Sequence, residues 1–250
     1  MRRLHPVSHP EQMVAQGEYV YLRDGQPTGT VEEWELTRLP DGSRIYRVEV
    51  GASDELWHLI LAPDRRPDRL QVRLREEGGR RFDATYTFFD DEVMIAGGQV
   101  RERPVKNFVD LPPGFGLLWV PMAGRELSLL AYDPDAGDPQ TVMLYVMHQR
   151  SPEEDWLSAR PVRFAVERLG RDTLEVLAGS FEAEKVRLTV PGLADQQGWF
   201  DRHGTVLQWQ SGDQTQAVLS RYRRFAGLPS HLAQPGRVRT AGGDAGRWAD

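Results

Sequence analysis

Residues Gly198–Tyr222 read GWFDRHGTVLQWQSGDQTQAVLSRY. Within this stretch Asp201-Arg202-His203-Gly204 supplies an acceptor side chain where a type I turn wants one. It also supplies glycine where a left-handed residue is needed. That is the three-residue hairpin loop closed by a glycine bulge. The implied register sets Asp201 opposite Thr205 and Trp199 opposite Leu207. Trp199, Leu207 and Trp209 would then share one face, with Phe200 and Val206 on the other. A second turn at Ser211-Gly212-Asp213 returns the chain as Gln214–Tyr222. The end of the fold therefore reads as a β-meander with tryptophans on one wall.

The same period of two runs upstream. Glu18–Arg23 and Thr28–Leu39 flank Asp24-Gly25, and Pro40-Asp41-Gly42-Ser43 leads into Arg44–Val50. Glu55–Leu61 is apolar on both faces, which predicts a strand covered on both sides. Leu70, Val72 and Leu74, then Phe82, Ala84, Tyr86 and Phe88, alternate with polar residues as an antiparallel pair. Asp90-Asp91 turns into Val93–Ala96. Strand resumes at Thr141–Gln149, and Ser151-Pro152-Glu153-Glu154 fits a capping box with about one turn of helix.

Val162–Leu169 and Asp172–Leu177 bracket Gly170 as a further hairpin. Phe181 and Ala183 sit at odd positions but Val186, Leu188 and Val190 at even ones, so a β-bulge is expected near Glu184-Lys185. Residues 97–140 are broken by proline and glycine and read as an irregular cover, in which Glu126–Tyr132 is a short helix or a strand, the helix preferred. Roughly a dozen strands with little helix predict an all-β fold. A sheet so large should curl. The expected architecture is a single strongly curved antiparallel sheet, an unclosed barrel or β-roll. Residues 1–15 form an N-terminal arm, 16–226 one β domain, and 227–250 a flexible C-terminal tail.

Composition narrows the chemistry. The 250 residues are 40% hydrophobic and 27% charged, ordinary for a globular chain. Cysteine is absent, which excludes disulfides, thiolate metal sites and cysteine nucleophiles. A net charge of −6 argues against a nucleic-acid partner, although a local basic patch can sit inside an acidic chain. Only Lys106 and Lys185 are lysines; the other basic residues are arginines scattered along the chain. No signal-peptide core and no long apolar run is present, so a cytoplasmic protein that does not span a membrane is the expectation.

No nucleophile elbow, zinc-protease, Walker or EF-hand pattern occurs, and no cofactor is implied. Asp133-Pro134-Asp135-Ala136-Gly137-Asp138 reads as an acidic turn or a weak cation site. His203 is accounted for by its turn. His58 and His148 lie in strands among apolar neighbours, either as hydrogen-bonded core groups or as acid–base residues of a site assembled from scattered positions. The tryptophans read as core or as the lining of an apolar groove, with Trp57, Trp119, Trp199 and Trp209 the candidate ligand contacts.

Ala178–Leu188 (AGSFEAEKVRL), Gly198–Trp209 and Ala217–Tyr222, with Leu111-Pro112-Pro113-Gly114 and Glu126–Leu130 upstream, resemble an uncharacterised bacterial β-protein family. That family is grouped with LolA/LolB-like lipoprotein carriers and glycolipid-binding proteins. The resemblance covers the second half of the chain. It implies one antiparallel sheet wrapped around an apolar groove and supplies no catalytic residues. The function expected is non-catalytic binding of an apolar or amphipathic, lipid-like ligand in the concave face. The alternatives are an enzyme using His58 or His148, and a scaffold whose concavity is filled by its own side chains.

Overall fold

Alternating side chains put one face of each strand inward, and in this chain the inward faces are almost wholly apolar. The computed structural model describes residues 11–51, 54–75, 81–99, 105–147, 159–189, 194–212 and 214–225. Fifteen strands among them form one sheet. They are β1 (Gln12–Arg23), β2 (Gln26–Arg38), β3 (Arg44–Val50), β4 (Glu55–Leu61), β5 (Pro67–Arg75), β6 (Arg81–Phe88), β7 (Glu92–Gln99) and β8 (Val105–Asp110). Then follow β9 (Gly116–Leu118), a 3-10 helix (Arg125–Leu129), β10 (Gln140–Met147), β11 (Ala159–Val176), β12 (Gly179–Thr189), β13 (Gln196–Phe200), β14 (Val206–Ser211) and β15 (Thr215–Arg224).

The spatial order is β8-β7-β6-β5-β4-β3-β2-β1-β15-β14-β13-β12-β11-β10-β9. Each neighbour is antiparallel except β9 on β10, which is parallel. The two edges of the sheet, β8 and β9, are consecutive in sequence. Only residues 111–115 join them, and a chain that short spans about 20 Å at most. The edges must therefore approach, and the sheet curls into an unclosed barrel. Rings from opposite arms of the sheet meet: Phe88 on β6 lies edge-on to Tyr145 on β10, centroids 6.0 Å apart.

The expected fold class holds, with strand limits for β3 and β4 as read from the sequence. Leu56 and His58 are buried on one face of β4, Trp57 and Leu59 on the other, as a doubly covered strand requires. The 201–204 turn is also as expected. Asp201 N–H donates to Thr205 O at 2.9 Å, Gly204 N–H to Asp201 O at 2.9 Å, and Gly204 has φ 84°.

The register beyond that turn is different. Trp199 pairs with Gln208, and Phe200 with Val206, leaving Leu207 as an extra residue. This bulge moves Trp209 to the wall that carries Phe200; their rings meet edge-to-face at 6.3 Å. Trp199 falls on the other face, where the Lys185 ammonium sits 4.8 Å from its ring. Gly198 lies opposite Trp209, and a Cβ there would stand 2.7 Å from the indole. Glycine at that position lets the ring lie flat over the neighbouring strand.

Gly170 is not a hairpin turn. β11 runs through it for 18 residues, and the chain reverses at Leu177-Ala178. Gly170, at φ 112°, takes part in a bulge in which Leu169 is the extra residue, opposite Lys185 and Val186. The irregularity expected near Glu184-Lys185 thus sits on the partner strand. Residues 97–140 contain β8 and β9 beside their loops, and the short helix is the 3-10 turn at Arg125–Leu129. β1 already begins at Gln12, inside the expected arm. His148, Trp156, the 151–154 capping box and the 227–250 tail lie outside the described residues.

Candidate functional site

The concavity is occupied by the chain itself. After β9 the segment runs inward, burying Leu117, Leu118, Trp119, Ala123 and Leu127 against the sheet. Three polar anchors pin it. Glu32 of β2, fully buried, accepts the amide protons of Met122 (2.9 Å) and Ala123 (2.8 Å) and the Tyr21 hydroxyl proton (2.6 Å). Arg125 donates to the carbonyls of Val120 and Pro121 at 3.0 Å and stacks 5.0 Å over the Trp209 ring. Glu126 accepts a short hydrogen bond from Tyr46 of β3. Gly124, at φ 81°, makes the corner into the 3-10 helix with Trp119 directly beneath it.

This plug leaves little room below. The chamber beside Tyr19, Trp34, Tyr46 and Glu126 has about 10 Å³, space for about one water. Above the plug, at the open end, is a cleft of about 850 Å³. Leu129 and Leu130 border it on one side, Val166, Ala183, Val186 and Phe200 on the other. Its charged boundary comprises Arg65 from the β4–β5 turn, Glu126 from the 3-10 helix, Arg168 and Arg171 from β11, Glu182 and Glu184 from β12, Asp201, Arg202 and His203 from the β13–β14 turn, and Asp135.

Glu126 and His203 border both spaces. Gly204 packs on Glu126: a Cβ there would lie 3.3 Å from the Glu126 stem, so the turn touches the plug. Burial pushes the Glu126 carboxyl up, while the Tyr46 hydrogen bond and the fields of Arg65 and Arg44 pull it back. Burial lowers His203, helped by Arg224 and opposed by Asp201. Burial likewise lowers Arg44, reinforced by Arg65 and Arg38. Arg125 is brought down by burial to about 10.

A carboxyl held above its unfolded value of about 4.3 binds a proton in the folded state that the unfolded chain has released. Its contribution is complete below the unfolded pKa and is lost as pH rises through the folded one. Stability measured by thermal melts should therefore fall less between acid and neutral pH in Glu126→Gln than in the parent. Parallel curves for the two proteins would contradict the assignment.

Of the residues singled out in the sequence, Trp57 and Trp119 do meet, edge-on at 6.4 Å, but within the core. Trp57 donates to Glu55 at 3.1 Å. Trp209 lies beneath Arg125, and Trp199 lies on the other face of the sheet. None of the four borders the cleft. His58 is buried in β4 between its ladder partners Arg47 and Gln71, also away from it. Among the described residues no group of three His, Asp or Glu side chains could hold a metal ion, the 133–138 turn included. No helix among them is long and apolar enough to cross a membrane. Arg65, Glu126 and Arg202 were missed because they come from three distant segments and carry no motif. The turn chemistry of Asp201–Gly204 accounts for His203 and carries no sign of its place at the cleft.

No family model matches the chain, and no curated protein matches it in sequence. Among solved structures it is similar to a beta-barrel-like protein of domain of unknown function DUF1849 from Brucella abortus. The TM-score is 0.55 with 10% identity, over 85% of this chain and 98% of the other. A "putative lipoprotein" from Parabacteroides distasonis aligns with TM-score 0.32 and 12% identity, over 86% and 97%. A "putative exported protein with YmcC-like fold" from Bacteroides fragilis aligns with TM-score 0.34 and 14% identity, over 86% and 98%. The first establishes the fold as that of a bacterial β-barrel-like protein. None of the three is described as LolA- or LolB-like.

Proposed function

We propose that the protein binds an amphipathic, lipid-like ligand, without catalysis, in the cleft at the open end of the barrel. The observation that carries this reading is the contrast between the two spaces. The chamber beside Tyr19 and Trp34 holds about 10 Å³, whereas the cleft offers about 850 Å³ with an apolar floor and a charged rim. Small-molecule sites typically occupy about 300–1,000 Å³ with that distribution of polarity. It is also the kind of ligand that the LolA/LolB resemblance implies. A scaffold filled by its own side chains would account for the plug but not for the cleft above it.

Burying about ten methylenes at about 0.8 kcal/mol each gives about 8 kcal/mol before ordering costs. A dissociation constant in the micromolar range is then the tightest to expect. Calorimetric titration with C12–C16 amphiphiles tests this. The half-buried Leu130 borders the floor, and Leu130→Asp should weaken binding about tenfold or more, since a charge would lie where alkyl chain is bound. Absence of binding to the parent protein, or unchanged binding in Leu130→Asp, would overturn the reading.

A further inference from the structure

The charged groups around the cleft are unequally committed. Asp201 is spent on its own turn, accepting the amide protons of His203 and Thr205 at 2.8 Å each. Glu184 pairs with Arg168 at 2.6 Å, Glu182 accepts from Thr173 at 2.9 Å, and Glu126 is held by Tyr46. The arginines differ among themselves. Arg168 is taken by Glu184 and lies over the Tyr132 ring. Arg65 and Arg202 border the cleft and form no ion pair among the described residues. The Nε of Arg65 is shielded from solvent and has no hydrogen-bond partner. Arg202 Nε donates to His203 Nε2 at 3.2 Å, which leaves its terminal nitrogens available.

Further charge of both signs stands behind them. Arg44 feels Arg65 and Arg38 against Tyr46 and Glu126, and His203 feels Arg224 and Arg202 against Asp201. Four arginines (Arg65, Arg168, Arg171 and Arg202) and five carboxylates (Glu126, Asp135, Glu182, Glu184 and Asp201) line this cleft. What sets Arg65 and Arg202 apart from Arg168 is that neither is paired with one of those carboxylates among the described residues. The carboxylates there are tied up in hydrogen bonds and ion pairs, apart from the exposed Asp135. Guanidinium groups presented this way match the paired oxygens of a carboxylate or a phosphate monoester.

We infer that the ligand carries an anionic head, a carboxylate or phosphate group, seated between Arg65 and Arg202 at the mouth beside Glu126 and His203, with its alkyl chain over Leu129, Leu130 and Val186. This rests on the amphiphile reading and adds to it the chemistry of the head.

The 250-residue chain is titrated calorimetrically with dodecyl phosphate, dodecanoate, dodecanol and inorganic phosphate. The parent and an Arg65→Gln/Arg202→Gln double variant are compared at low salt. Arg65 already has φ 73°, and glutamine there meets the same backbone demand as arginine. The two anionic amphiphiles should bind the parent about tenfold tighter than dodecanol. The double variant should lose that preference while its dodecanol affinity stays the same. Added salt should narrow the gap. Equal affinities for all three dodecyl compounds, or a preference that survives in the double variant, would overturn the anionic head and leave the amphiphile reading standing. Binding of none of them would overturn both. Inorganic phosphate binding as tightly as dodecyl phosphate, and lost in the double variant, would support the arginine site but assign it to free anions.

Discussion

Glu32→Ala should lower the unfolding free energy by about 4 kcal/mol, measured by urea denaturation with an unchanged slope. Glu32 is fully buried, and its two oxygens receive the Met122 and Ala123 amides and the Tyr21 hydroxyl. Alanine leaves all three donors in place with no acceptor. A buried donor left unsatisfied costs about 1–3 kcal/mol, and the lost side-chain volume adds to this. Arg125 also loses the carboxylate whose field supports its charge. Tyr21→Phe removes only one of the three bonds and should cost about 1 kcal/mol. Glu32→Gln should fall between them, because its amide offers one acceptor oxygen but points an NH2 at groups that also donate. The effect should reach the cleft. Glu32 does not touch it, yet it fixes the segment that presents Glu126, Leu129 and Leu130. A Glu32→Ala protein within 1 kcal/mol of the parent would show that the plug is held by apolar packing alone.

The fold was legible because period two survives in nearly every strand, and the turns carry their own chemistry. Asp201 and Gly204 specify their loop by an acceptor and a left-handed backbone, both local properties. What a local reading could not see is the single inserted residue. Val206 and Leu207 are adjacent and both buried, a break in alternation that marks the bulge only in retrospect. Gly170 has a turn residue's identity but a bulge residue's place. In a strand of 18 residues the two are told apart by the partner strand, not by the sequence.

The site was less legible for a related reason. Large aromatics suggest a lining wherever a sheet is expected to be concave. Whether they meet ligand or their own chain depends on where residues 116–132 go. That path is set by Glu32, Tyr46 and Trp209, far away in sequence. Once the plug enters, the tryptophans become core and the free surface passes to arginines drawn from separate turns.

Trp119→Ala decides between those two roles. Trp119 is fully buried; its indole meets Trp57 and Tyr46 edge-on at 6.4 and 6.2 Å, and Gly124 closes over it. As the centre of the plug it should cost about 3–5 kcal/mol on truncation, from lost transfer energy and the cavity left behind. Its Nε1–H is buried without a partner, so phenylalanine removes volume but no hydrogen bond. Trp119→Phe should therefore cost much less, about 1–2 kcal/mol. Ligand binding distinguishes the alternatives under conditions where both variants remain folded. If the plug fills the barrel, dodecanoate affinity at the cleft should stay within about threefold of the parent in Trp119→Phe, a change worth less than about 0.7 kcal/mol. A side chain that instead lined the ligand's path would show the reverse: affinity lost in step with ring size, and stability scarcely moved. That second pattern would return the binding site to the interior and require residues 116–132 to move aside when ligand enters.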